Sequence, residues 1–245
     1  MDAHSLWLLF AAVLLVAFLY SSVGHAGASG YIAVMSLLGL SVSVIKPTAL
    51  ILNIFVAIIG SYQFWRAGYF SWSLFWPFAL LSIPAAYFGG YLHVPVQVFK
   101  VMLGIVLWLS AVRLFFRQGD PPAVKAPSGL VSLGVGGGIG FLSGLTGTGG
   151  GIFLTPLMLF LRWAKTRNVA ATSALFILVN SIAGLTGYFA GGRPVPSFAW
   201  ILAPAAVAGG VMGSYFGSRK FPVWLMQFML GVVLMVAGFK LMFTK

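Results

Sequence analysis

Long apolar runs separated by short polar punctuation fill the chain, and within each run the hydrophobicity is continuous rather than alternating at period two. Several runs approach the ~20 residues a helix needs to cross a bilayer, and continuous runs exclude the lipid-out, polar-in alternation of a transmembrane barrel. The pattern predicts spans near 48–65, 71–92 and 95–116, and again near 169–190, 197–217 and 222–243. A broken pair of apolar segments precedes each set, 6–23 with 28–45 and 131–145 with 149–161. The expected fold class is an all-α integral membrane protein, each half a broken or re-entrant helix pair plus three transmembrane helices.

The halves resemble each other. At an offset of 127, Pro77 falls on Pro204, Pro95 on Pro222, Met102–Gly104 on Met229–Gly231, Asn53 on Asn180 and Gly60 on Gly187. Farther upstream an offset of 120 brings Gly24, Gly27 and Gly30 onto Gly144, Gly147 and Gly150. The domain reading is a first membrane repeat at 1–116, a Pro-rich polar linker at 117–129 and a second repeat at 130–245. A helix pair returns to its own side and three spans do not, so the second half is expected to enter from the opposite side. That is an inverted-topology repeat, common in secondary transporters.

Charge orients the repeat. Arg66, Arg113, Arg117, Lys125, Arg162, Lys165, Arg167, Arg219 and Lys220 fall on one side, and Lys46, Lys100, Arg193, Lys240 and Lys245 on the other. The richer side is expected in the cytoplasm, which puts the linker inside and both termini outside a cell membrane that the chain crosses many times. The N-terminal run resembles a secretory signal, but its first residues lack Lys and Arg and carry Asp2. Its repetition later in the chain reads it as mature membrane sequence.

Composition narrows the chemistry. Of 245 residues, 60% are hydrophobic and 7% charged, and 14 Lys and Arg face two acids. The net charge of +12 lies in short loops, which is a topology signal and not a nucleic-acid footprint. The chain has no cysteine, which removes disulfides, thiol redox chemistry and thiolate metal ligation. Three widely separated histidines make no metal cluster, so neither an enzyme nor a cofactor or metal is expected.

The candidate chemistry lies in the two breaks, "SSVGHAGASGY" at 21–31 and "SGLTGTGGGIF" at 143–153. Non-helical backbone survives at membrane depth only inside protein or along a polar cavity. A helix restarts after each break, near Ala28 and near Gly150, and its free N–H groups and partial positive charge suit an anion. In the second half both arms look short for a full crossing, so hairpin tips meeting near the midplane are expected. The candidate substrate-binding residues are Ser22, Gly24, His25, Gly27, Ser29, Thr146, Gly147, Thr148, Gly149 and Gly150, with Asn53, Thr172, Ser173 and Asn180 on the neighbouring spans. His25 is open to two readings, a ligand contact that switches with pH or a neutral hydrogen bond between helices. Asn53 and Asn180 read first as interhelical hydrogen-bonding groups and then as ligand contacts. Lys46 and Arg167 read as interface anchors. Gly136, Gly140 and Gly144, like Gly209, Gly213 and Gly217, read as close-packing positions. Asp2 and Asp120 both lie outside the spans, and a cation carrier ordinarily holds a carboxylate within the membrane.

The motifs "GHAGASGY" and "GFLSGLTGTGGGIFLTPLM", followed by "VAATSALFILVNSIAG", resemble the sulfite exporter TauE/SafE family over nearly the whole chain. The resemblance implies a multi-pass transporter of small sulfur-containing anions, sulfite or a sulfonate such as sulfoacetate. It points to Gly24, Gly27, Gly147, Gly149 and Gly150, and to Thr172 and Ser173. Cysteine-dependent thiosulfate handling, which some relatives resemble, has no counterpart in this chain. The expected function is export of a small oxyanion by alternating access, with an anion channel of the same architecture as the alternative. The expected partners are the anion and the lipid bilayer, with homo-oligomerisation left open.

Overall fold

The structure, a computed structural model, describes residues 3–92, 119–194 and 196–243, together with Trp108, Ala111, Val112 and Phe115. The span expected at 95–116 lies outside the described residues except for those four. The described residues are helical, without strands. They form α1 (Ala3–Ser21), α2 (Ala28–Leu37), α3 (Val42–Arg66), α4 (Trp72–Tyr91), α5 (Gly129–Thr146), α6 (Gly151–Phe160), α7 (Thr166–Ala190), α8 (Phe198–Arg219) and α9 (Val223–Phe243). Six of these, α1, α3, α4, α5, α7 and α8, are long and apolar enough to cross a membrane.

The breaks divide their arms unequally. The first arms, α1 with 19 residues and α5 with 18, reach about 28 and 27 Å at 1.5 Å per residue. The second arms, α2 and α6, have ten residues each and reach only about 15 Å, half a bilayer. The long second arm expected at 28–45 is therefore two elements, and α3 starts at Val42 rather than near 48. The short first arm expected at 131–145 is instead a helix of crossing length. α2 stops early because the Leu40 N–H turns back to the Met35 carbonyl (3.1 Å) around Gly39 at φ +73°. α6 stops the same way, with the Trp163 N–H on the Met158 carbonyl (2.9 Å) around Arg162 at φ +56°. Both are left-handed C-terminal caps.

Glycine ladders set how the long helices pack. A Cβ on Gly209, Gly213 or Gly217 of α8 would strike the carbonyls of Leu14, Phe18 and Ser22, so α8 runs parallel to α1 in backbone contact. A Cβ on Gly136, Gly140 or Gly144 of α5 would likewise strike the carbonyls of Phe78, Ser82 and Ala86 on α4. Helices in lipid gain little from hydrophobicity, so close backbone approach through small residues holds the pairs. α1 thus packs on α8 and α5 on α4, while α3 packs on α8 and α7 on α4. α3 and α7 also pack on each other, with α2 against α3 and α6 against α7.

Polar contacts tie one end together. Arg167 donates to the Tyr69 hydroxyl (2.6 Å) and the Phe221 carbonyl (2.9 Å), and the Asn168 amide to the Tyr69 carbonyl (2.8 Å). The Asp120 carboxylate accepts from the N–H and the hydroxyl of Thr166, each at 2.7 Å, at the start of α7. This linker end therefore gathers the ends of α3, α6 and α8 and the starts of α4, α7 and α9. The opposite end holds Lys46, Tyr188 and Arg193, with Arg193 on the carbonyls of Gly90 (3.2 Å) and Tyr91 (2.6 Å). α1 runs toward the linker end beside α8, and α5 runs away from it beside α4.

Candidate functional site

Each long first arm passes the middle of the molecule before its break. Gly217 of α8 meets Ser22, and Gly24 lies against the Ala170 backbone near the start of α7, so the first break begins toward the linker end. Gly147 lies against Lys46 near the start of α3, so the second begins toward the opposite end. From there each chain folds back, and the half-helices α2 and α6 both begin in the centre. It is these helix starts that meet, not the outermost points of the hairpins.

Two hydrogen-bonded links join the breaks. The Ala28 N–H, first in α2, donates to Asn53 Oδ1 (3.0 Å). Asn53 Nδ2 donates to the Thr148 carbonyl in the other break (3.3 Å) and to Ser181 Oγ (3.4 Å). One side chain on α3 thus satisfies a free helix-start donor of the first half and a loop carbonyl of the second. Gly149 makes room for it, since a Cβ there would come within 2.7 Å of Asn53 Nδ2 and 2.9 Å of Ser181 Oγ.

The second link runs from His25 to Thr155 and Ser173. Thr155 Oγ1 donates to Ser173 Oγ (2.7 Å), so it accepts from His25 Nε2 (2.7 Å). That direction puts the neutral ring's proton on Nε2, and Nδ1 is buried without a hydrogen bond of its own beside the start of α6. His25 is 4% exposed and Ser173 fully buried. A Cβ on Gly151 would stand 3.4 Å from His25 Cδ2, so the start of α6 faces the imidazole. The Tyr31 hydroxyl is also buried and unpartnered, 2.8 Å from where a Cβ on Gly27 would stand. Thr172 Oγ1 and Asn180 Oδ1 are buried and unpartnered on α7. Buried polar atoms are normally satisfied, so the unpartnered His25 Nδ1 and Tyr31 hydroxyl beside the two helix starts point to a ligand.

The structure thus gathers His25, Gly27, Asn53, Thr148, Gly149, Gly150 and Ser173 about the two helix starts. Gly27 and Gly150 are their N-caps, at φ +102° and +82°, a conformation only glycine adopts freely. Other candidates serve their own surroundings. Ser22 Oγ donates to the Leu19 carbonyl (2.7 Å), Ser29 pairs with the Tyr20 hydroxyl (2.9 Å) and Thr146 Oγ1 donates to the Leu142 carbonyl (2.7 Å). Thr146 and Thr148 also share a hydroxyl contact (2.9 Å). Gly24 and Gly147 are turn residues at φ +79° and +76°. Asn180 does not mirror Asn53, because its Nδ2 bonds the Phe176 carbonyl of its own helix (2.8 Å). Thr155, Ser181 and Tyr31 were not among the candidates. All three lie in the quoted motifs, but nothing in their spacing shows that Thr155 and Ser181 bond the other half or that the Tyr31 hydroxyl is buried beside Gly27.

No carboxylate approaches the site among the described residues, since Asp120 is held at the linker end. No group of metal-ligating residues occurs among them either.

The profile of the family described as "Sulfite exporter TauE/SafE" matches residues 9–241. A "Probable membrane transporter protein y4hK" of Sinorhizobium fredii is 42% identical over 99% of this chain and 100% of its own. A "Probable membrane transporter protein YjnA" of Bacillus subtilis is 28% identical over 93% of this chain and 96% of its own. No solved structure matches. With that profile spanning nearly the whole chain, this multi-pass membrane transporter belongs to the sulfite exporter TauE/SafE family.

Proposed function

We propose that the protein is a secondary carrier exporting a small oxyanion, sulfite or a sulfonate, by alternating access around the two central helix starts. The observation that carries this reading is the convergence of the α2 and α6 N-termini with the unpartnered His25 Nδ1 and Tyr31 hydroxyl, where no carboxylate competes. Two helix N-termini supply N–H donors and partial positive charge to an anion without a lysine or arginine. The imidazole sharpens the choice. With Nε2–H committed to Thr155, neutral Nδ1 accepts an O–H, as hydrogensulfite provides, whereas protonated Nδ1 donates to a fully ionised oxyanion.

Burial favours a carrier over a channel, since His25, Asn53 and Ser173 at the crossing are each no more than 4% exposed. The reciprocal packing of α1 on α8 and of α5 on α4 supports an inverted repeat whose halves rock against each other. The excess of basic residues at the linker end supports a cytoplasmic linker with both termini outside. With no carboxylate for a coupling ion, the anion follows the membrane potential. Each charge moved across 100 mV is worth ~2.3 kcal/mol, and a negative interior drives anions out.

The test is a thermal-shift screen of the purified protein against sulfite, sulfoacetate, sulfate, thiosulfate, acetate and chloride, followed by flux in proteoliposomes. A sulfite or sulfonate at ~100 times its dissociation constant adds roughly 2.7 kcal/mol of stability. Flux should saturate, follow an imposed potential and persist without a sodium or pH gradient. Stabilisation by a cation and by none of the anions overturns the reading.

A further inference from the structure

On the outer face of the linker end, α3 and α8 lie side by side and parallel, and each carries the same ladder. On α3, Ile58, Tyr62 and Arg66 follow one another at four-residue steps, and on α8 so do Val211, Tyr215 and Arg219. Residues four apart share a helix face, so each wall reads aliphatic, then phenol, then guanidinium toward the end of the molecule. A groove of about 750 Å³ runs between the two ladders. Tyr62 is 52% exposed and Tyr215 42%.

The guanidiniums are braced by neutral groups. Arg219 lies over the Tyr215 ring (5.0 Å) and donates to Gln63 Oε1, and Arg66 reaches the Tyr62 hydroxyl (3.5 Å). Gln63 in turn donates to the Val211 carbonyl (3.3 Å) and ties the helices beneath them. Neither arginine has an acidic partner among the described residues. Asp120, the one acid there, is engaged with Thr166.

We infer that this groove is a binding site for one anionic phospholipid of the linker-side leaflet. The order of chemistry along the groove matches the order met on leaving a bilayer core: acyl chain, interfacial region, phosphate. Two guanidiniums at the mouth suit a phosphodiester, which planar arginine forks bind in two-point fashion. The aliphatic and phenolic walls facing lipid take the acyl chain. A soluble anion would have no use for them. Basic clusters at a membrane surface attract anionic lipid in the same way.

Among the described residues the opposite end lacks the feature. At the offset of 127, Arg219 corresponds to Leu92 and Arg66 to Arg193, whose guanidinium is already on the Gly90 and Tyr91 carbonyls. The lipid would therefore brace the α3–α8 pair at one leaflet only. This site lies apart from the central crossing and does not depend on the identity of the transported anion.

The experiment is native mass spectrometry of the full chain released from phosphatidylglycerol and, separately, phosphatidylcholine, with wild type compared to R66Q/R219Q. One phosphatidylglycerol should stay bound to wild type, phosphatidylcholine should not, and the double variant should lose at least tenfold in retention. Excess inorganic phosphate should not displace the lipid. Equal retention by wild type and the double variant overturns the site. Displacement by inorganic phosphate also overturns it, in favour of a soluble-anion vestibule. So does protection of Tyr62 and Tyr215 by a second copy of the chain. If R66Q/R219Q does not fold, Ile59→Trp, at a position that also lines the groove, fills it with both arginines kept and should exclude the lipid. Unchanged retention in that variant counts against the proposal.

Discussion

The first break, residues 22–27, and the second, residues 147–150, with the half-helices after them, share three left-handed positions and differ in side chains and in the further left-handed Gly149, whose counterpart is Ala26. Gly24 and Gly147 have φ of +79° and +76°, Gly27 and Gly150 +102° and +82°, and Gly39 and Arg162 +73° and +56°. All three pairs are 123 residues apart. The chemistry is divided. The first break contributes an imidazole and is followed by the buried Tyr31 phenol, whereas the second contributes glycines and threonines. Gly149 leaves the room that Asn53 occupies, whereas Gly151 makes room for Ile177 of its own half. Repetition therefore conserves where the half-helices α2 and α6 start and stop. The halves interlock where Gly149 of one is small enough for Asn53 of the other to enter.

The comparison breaks outright if the halves do not enter from opposite sides. On this naturally cysteine-free chain, Ser5→Cys should label from outside and Lys125→Cys from inside, with a membrane-impermeant maleimide in intact cells. Labelling of both from the same side would end the inverted reading.

Next in size is the contrast between glycines that face backbone and those that face side chains. Gly213→Val drives into the Phe18 carbonyl and Ser21, which cannot yield without separating α1 from α8. It should cost about 3 kcal/mol or more and lower the yield of folded protein, read by thermal melting. Gly149→Ala meets the ends of the Asn53, Ile177 and Ser181 side chains. It should leave a foldable protein with transport reduced at least tenfold. A transport-competent Gly149→Ala of normal stability would remove the second break from the site.

Asn53 and Asn180, paired by the repeat, should separate on truncation. Asn53→Ala strands the Ala28 N–H and the Thr148 carbonyl, at about 1–3 kcal/mol for each buried group left unpaired. Asn180→Ala loses a bond to its own helix and should cost about 1 kcal/mol. Equal losses in melting and flux would mean that the bridge between breaks is unimportant.

The smallest effect sharpens the role of His25. Thr155→Val removes the acceptor that holds Nε2–H. It strands the buried Nε2–H at about 1–3 kcal/mol, one group where Asn53→Ala strands two, and should shift the pH profile of flux. His25→Ala should abolish saturable flux. If wild-type flux needs a proton gradient and His25→Ala loses only that requirement, the imidazole is a coupling site and potential-driven export is wrong.

Much of the architecture was legible because it is local. Hydropathy marks the spans, and helices result because every backbone polar group in lipid must bond within its own segment. Glycine clusters mark the breaks. Ala28 was the expected start of α2, and α6 begins one residue beyond the expected Gly150. The alignment of the breaks was less legible. Matching glycine to glycine favoured an offset of 120, whereas matching backbone conformation gives 123, because identity does not report φ. The lengths of the arms were missed for a related reason. An apolar run continues through a left-handed cap, so Gly39 ends α2 where hydropathy sees no interruption.

The sequence by itself determined the class of protein, the places where its helices break and the absence of acids from the membrane. Those properties follow from composition and from conformational preferences that act over a few residues. Only the tertiary structure decided which groups share the centre. The His25–Thr155 bond spans 130 positions of chain. It forms because the glycine ladders of α5 and α8 hold the first arm of each half on the fourth helix of the other. That exchange depends on backbone contact across helices, which no local pattern encodes. It makes Asn53 a bridge while leaving Asn180 on its own helix.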